Sequence, residues 1–148
     1  MHLGGLKLSR RHRWWLHGTI TALFVTGVVW WWLHAFVKVE TGFGPGAHPL
    51  ESWALKLHGL GAMLSLVVLG TLIPIHIRRG WHARRNRLHG SVLVLALLLL
   101  VVTGYGLYYS GIETLREISS WAHRVIGLLL PVLIVLHIRA GRHAMRVK

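Results

Sequence analysis

Long apolar runs alternate with short basic or glycine-rich segments along this chain. Four runs stand out, at about 14–37, 53–77, 88–110 and 118–138. The first covers ~36 Å as a helix, enough to cross a bilayer with some tilt. Trp14-Trp15 and Trp30-Trp31-Trp32 mark its two ends as an aromatic belt. A basic start before an apolar run is also the pattern of a signal peptide. This run is too long for one and lacks a small-residue cleavage site, so it reads as an uncleaved span. Residues 38–52 hold Gly42, Gly44, Pro45, Gly46 and Pro49 and read as a loop. Pro74 is expected to kink the end of the second span. A basic loop over 78–87 precedes the third span, nearly all Leu and Val. A short loop with Glu113, Arg116 and Glu117 leads into the fourth.

Composition settles the class. The 148 residues suffice for one domain, and 53% of them are hydrophobic. A soluble domain of that size has no interior for so many Leu, Val and Trp. The predicted fold is a single all-α integral membrane domain, a four-transmembrane-helix bundle over residues 1–148. The net charge of +13 would point to nucleic acid in a soluble protein. Here all but Lys38, Lys56, Arg116 and Arg124 of the 17 Lys and Arg lie in the N-terminus, the middle loop and the tail. That bias places both termini in the cytoplasm, with anionic lipid binding as a secondary effect. The four acids, Glu40, Glu51, Glu113 and Glu117, fall on the opposite side.

An internal repeat is also visible. Leu16-His17-Gly18 opens span one and Leu88-His89-Gly90 span three, followed by Thr26-Gly27 and Thr103-Gly104. Span two runs from Ser52-Trp53-Ala54 to His76-Ile77-Arg78, and span four from Ser120-Trp121-Ala122 to His137-Ile138-Arg139. Two related hairpins with parallel topology are expected.

Twelve histidines and no cysteine complete the composition. The missing Cys excludes disulfides, thiolate metal sites and covalent haem attachment. His58 and His123 lie inside the outer boundary on spans two and four. His17, His76, His89 and His137 lie near the inner boundary, one on each span. His34 reads as an interfacial residue snorkelling to the headgroups, and His2, His12, His48, His82 and His143 as solvated surface. An ionisable ring facing lipid is costly, so six intramembrane histidines at two depths point to ligation rather than packing. His123 and His137 stand 14 residues apart, ~21 Å along the helix and ~40° from in line. Zinc wants four converging ligands, often Cys or carboxylate, and no acid lies within a span. Imidazoles paired across a bundle suit b-type haem. Gly18, Gly59, Gly61, Gly90 and Gly127 leave room beside the candidates. Arg124 and Lys56 on the outer side, and Arg13, Arg78, Arg87 and Arg139 on the inner, can pair haem propionates, or serve as ordinary interface charges.

The run Arg13-Trp14-Trp15-Leu16-His17 leading to Thr26-Gly27, a histidine early in span two, and the histidine pair of span four resemble one family. It is the four-helix bacterial cytochrome b561 superfamily, including the cytochrome b subunits of membrane-bound hydrogenases and formate dehydrogenases. The resemblance implies an outer haem on His58 and His123 and an inner haem on His17 and His137. It also implies electron exchange between quinone and a redox partner subunit in the bacterial cytoplasmic membrane. The chain departs from the family in its extra histidines, His76 and His89, and in a short His17-to-Thr26 spacing. Three inner arrangements therefore stay open beside the first. His76 can pair with His137, although His58 to His76 spans ~27 Å against ~21 Å on span four. His17 can pair with His89, as the repeat symmetry has it. Six ligands can also hold three haems, with His17–His137 and His76–His89 side by side.

The expected function is transmembrane electron transfer by a cytochrome with two or three haems b. No nucleophile, acid/base pair or phosphate loop appears, so any enzymatic role is redox chemistry with quinone. Two rivals stand beside this reading. One is a histidine-rich metal or proton carrier, or a pH sensor, without haem. The other is a structural anchor for a redox complex.

Overall fold

In the computed structural model of the chain, residues 9–42, 44–84 and 86–146 are described. His2, Lys7, Arg85 and Lys148 lie outside them. Helix α1 (Arg10–Phe36) starts where Ser9 Oγ accepts the His12 N–H at 3.3 Å. That cap satisfies one of the donors every helix start leaves open. The chain turns extended at Val37, and β1 (Lys38–Thr41) pairs antiparallel with β2 (Gly44–Ala47). The loop expected over 38–52 is thus a hairpin followed by a helix start. Its turn needs Gly44, whose φ of +105° is a conformation side chains rarely adopt.

Helix α2 (Pro49–Leu72) is capped by His48, whose Nδ1 accepts the Leu50 N–H at 3.2 Å. Pro49 takes the first helical position, where its missing N–H costs nothing. The distortion expected at Pro74 takes the form of a π-helical turn, Ile73–Ile77, before α3 (Arg78–His82). Proline withdraws a donor from the i→i−4 ladder, and a wider turn absorbs the gap. Arg84 and Asn86 then adopt left-handed φ values of 53° and 50° and lead into α4 (Arg87–Tyr109). Helix α5 (Glu113–Arg146) includes Glu113, Arg116 and Glu117, expected in a loop, and continues through the basic tail. The apolar pattern marks only the lipid-crossing part of a helix. The flanking Glu, Arg and Leu are good helix formers, and acids in the first turn with arginines in the last suit the dipole. His12 and His143, expected in tails, are helical for the same reason.

The chain divides into two compact units, one ending at His76 and the other beginning at Ile77. In the first, α1 packs on α2; in the second, α4 packs on α5. Small residues line each seam. Gly61 faces Leu23 in the first unit; Gly106 faces Ser119 and Gly127 faces Leu100 in the second. Close backbone approach of this kind replaces the hydrophobic effect as glue where the surroundings are themselves apolar. The residues the seams bury are mostly small or polar: Thr19, Ala54, Ser65, Ala96 and Ser119. Large apolar side chains point outward, with Trp14 71%, Val67 69% and Leu88 74% exposed. Among the described residues four helices are long and apolar enough to cross a membrane. Lipid tails solvate such outward faces, and water does not. The hydroxyls of Thr19, Thr26, Ser65 and Thr103 donate to carbonyls one turn back, so they need no water either. The chain is a multi-pass membrane protein.

Candidate functional site

Each unit holds one histidine of its second helix against a Thr-Gly pair of its first. In the first unit, the Thr26 hydroxyl donates its single proton to the Ala22 carbonyl at 2.7 Å. His58 Nδ1 lies 3.1 Å from that hydroxyl oxygen and 3.0 Å from the Leu23 carbonyl. A carbonyl can only accept, so Nδ1 carries the ring proton and the lone pair of the neutral imidazole is on Nε2. Gly27 makes the approach possible: a Cβ there would stand 3.1 Å from His58 Cε1.

The second unit repeats the Thr-Gly contact, and the threonine proton there is likewise committed to a carbonyl. Thr103 donates to the Leu99 carbonyl at 2.6 Å, and His123 Nδ1 lies 3.0 Å from its oxygen. A Cβ on Gly104 would meet His123 Cε1 at 3.4 Å. Thr26-Gly27 and Thr103-Gly104 are therefore partners of His58 and His123, a role beyond marking a repeat. The Ser-Trp-Ala motifs follow a different register: His58 stands five residues after Trp53, His123 two after Trp121. Their shared feature is a cation three residues on. Lys56 Nζ lies 4.9 Å from the Trp53 ring centre and the Arg124 guanidinium 4.5 Å from that of Trp121. Arg124 also donates through Nε to the Ser120 carbonyl at 3.2 Å.

The four other intramembrane histidines have less uniform surroundings. His17 is exposed on α1, on a surface it shares with Arg10, Arg13 and Trp14. Arg13 was expected beside it. Arg10 was not singled out, although it lies on the same helical face, two turns before His17. His89 is exposed in the first turn of α4, and His76 is half-buried in the π-helical turn. Arg139 and Arg78 are exposed on α5 and α3. Arg87 donates to the Trp81 carbonyl at 2.8 and 3.1 Å and covers the Trp81 ring, so its guanidinium is committed locally. His137 is held with the reverse polarity. Asn86 Nδ2 donates to the His137 carbonyl at 2.9 Å and stands 3.4 Å from His137 Nδ1. The amide N–H meets Nδ1 as an acceptor, which puts the ring proton of the neutral imidazole on Nε2. The sequence signal for Asn86 was available, because Asn is among the few residues that tolerate a left-handed turn.

His34 does more than snorkel. Its Nδ1 contacts Glu51 Oε1 at 2.6 Å, tying α1 to α2, and its ring stacks on Trp30 at 4.9 Å. The Glu51 side chain is only 12% exposed, and its Oε2 is buried without a partner among the described residues. Removing the imidazole strands a buried carboxylate at a cost of ~1–3 kcal/mol. His34→Ala is accordingly expected to lower the stability of the first unit by that amount in a denaturant titration. Glu51→Gln, which removes the charge and keeps a hydrogen-bonding group, is expected to cost less; the reverse order would contradict this reading.

Among the described residues no group of three or more His, Cys, Asp or Glu side chains gathers as a metal-ion site. The chemistry on offer is that of single imidazoles with assigned tautomers, one against each Thr-Gly pair. No family model, curated protein or solved structure matches the chain.

Proposed function

We propose that this chain is a b-type cytochrome of the bacterial cytoplasmic membrane, with both termini in the cytoplasm. It carries electrons across the bilayer between a quinone pool and a redox partner subunit. One observation carries the reading: the same Thr-Gly/His arrangement occurs in both units. An iron-binding imidazole characteristically donates its other ring N–H to an oxygen, which fixes the tautomer and raises ligand basicity. His58 and His123 both do this. Their glycines let each imidazole seat against the neighbouring helix, and the lack of Cys leaves non-covalent binding as the mode. The residues therefore fit haem. His58 and His123 would hold the outer haem, with Arg124 at its propionates. Haem supplies reversible one-electron chemistry, its potential set by axial ligands, hydrogen bonds and burial.

For the inner haem we propose His17 and His137, with Arg13 and Arg139 as propionate contacts. Arg10 and Arg13, beside His17 on one face of α1, supply charge for propionates there. Ligation by His137 requires its proton to move from Nε2 to Nδ1, and Asn86 to turn with it. His76 and His89 remain candidate ligands of a different or third haem. Each pairing takes one ligand from each half of the sequence.

A reduced-minus-oxidised spectrum of the purified chain tests the reading, with haem extracted and counted per chain. The expected result is an α-band of b type and two haems per chain. Three would add the His76–His89 pair, and no α-band would defeat the proposal in favour of a haem-free histidine protein.

A further inference from the structure

We propose that the cleft between α1 and α2 is a specific site for an anionic phospholipid, its phosphodiester at Arg11 and His12 and one acyl chain running inward. This does not rest on the haem reading. The cleft is an open groove of about 700 Å³. Its lining is graded. The two helices run antiparallel, with Thr26 against His58 fixing their register. The start of α1 therefore lies beside the end of α2. Ser9, Arg11 and His12 lie at the Thr71 end of the groove, and Trp15, Val67 and Leu64, largely exposed to lipid, line it with Val68 further along the helices.

The polar groups at the Thr71 end suit a phosphate. Arg11 is exposed and supplies a fixed positive charge and a fork of donors. Ser9 Oγ and His12 Nδ1 share a hydrogen bond at 3.1 Å, leaving His12 held at the rim. The groups further along suit a hydrocarbon chain. The Thr71 hydroxyl donates back to the Val68 carbonyl at 2.7 Å and Thr19 to the Trp15 carbonyl at 2.9 Å. Neither offers a donor to the cleft, so the groove beyond that end behaves as apolar. A molecule with an anionic head and an apolar tail matches this gradient from end to end. A neutral quinone can accept a hydrogen bond from Arg11 but brings no countercharge, and inorganic phosphate has no group for Val67 and Leu64.

The test uses the full chain in phosphatidylcholine nanodiscs containing a minor fraction of brominated lipid, which quenches nearby tryptophan. The Trp15 signal is isolated by difference against Trp15→Phe. Brominated phosphatidylglycerol is expected to quench Trp15 with about fivefold higher apparent affinity than brominated phosphatidylcholine, the ratio for roughly 1 kcal/mol per basic residue at a membrane surface. Arg11→Gln is expected to equalise the two lipids while circular dichroism stays unchanged. Val67→Trp, which fills the apolar part of the groove, is expected to weaken quenching by both. Equal quenching in the parent chain, or retained selectivity in Arg11→Gln, overturns the proposal. Displacement by millimolar inorganic phosphate would show a free-anion site instead, and displacement by a short-chain quinone a quinone site; either result overturns it.

Discussion

Alanine at His58 or at His123 is expected to remove one of two haems per chain and the matching component of the α-band. The two substitutions are expected to give the same product, since a haem that both imidazoles would hold is lost when either goes. The physical basis is the shared tautomer: both rings place the proton on Nδ1, where Thr26, Leu23 or Thr103 oxygen accepts it. Haem extraction and counting against protein concentration reads the outcome. His48→Ala and His82→Ala act as controls and are expected to retain both haems. His48 caps α2, and His82 Nδ1 donates to the Arg78 carbonyl at 2.7 Å, so each ring is used locally. Two haems retained in both His58→Ala and His123→Ala would remove the outer site from consideration.

The second large effect is steric. Valine at Gly27 is expected to displace the His58 ring and abolish the outer haem with little change in helix content. The hypothetical Cβ alone is 3.1 Å from His58 Cε1, closer than ordinary contact, and the two methyl groups of valine reach further. Alanine grades the effect. Gly27→Ala is expected to reduce outer haem retention more than Gly104→Ala, where the Cβ would lie 3.4 Å from His123 Cε1. Loss by roughly 10- to 100-fold is the usual scale when the support of a metal-binding histidine is disturbed. Gly70→Ala, with nothing within 4 Å of its Cβ, is expected to leave haem content unchanged and to favour the helix by ~1 kcal/mol. Haem retention during dialysis orders the four variants. An equal loss for Gly70→Ala would mean that helix glycines matter for some reason other than clearance at the imidazoles.

The spans were legible because burial in lipid imposes a coarse rule, that every side of the helix be apolar for about twenty residues. Their ends were less so. The charged residues of 113–117 and of the tail gave no apolar signal, yet they continue α5 because helix propensity and the dipole outlast the lipid boundary. The hairpin at 38–47 was missed for the converse reason. Its glycines and Pro45 read as a loop, while four backbone pairs and one left-handed glycine suffice to order it.

The candidate site divides in the same way. By itself the sequence determined that histidines stand inside apolar runs and that a Thr-Gly step occurs in the first helix of each hairpin, at different distances from its histidine. Composition and spacing are one-dimensional properties and survive without a fold. Only the tertiary structure decided how those histidines are held. A hydrogen bond spans helices that are 32 residues apart in the first unit and 20 in the second. Its direction depends on which carbonyl already takes the threonine proton. The same logic separated His58 and His123, which keep the proton on Nδ1, from His137, where Asn86 puts it on Nε2. Tautomer follows from the partner a ring meets across a packed seam, and the linear order of residues does not specify that partner.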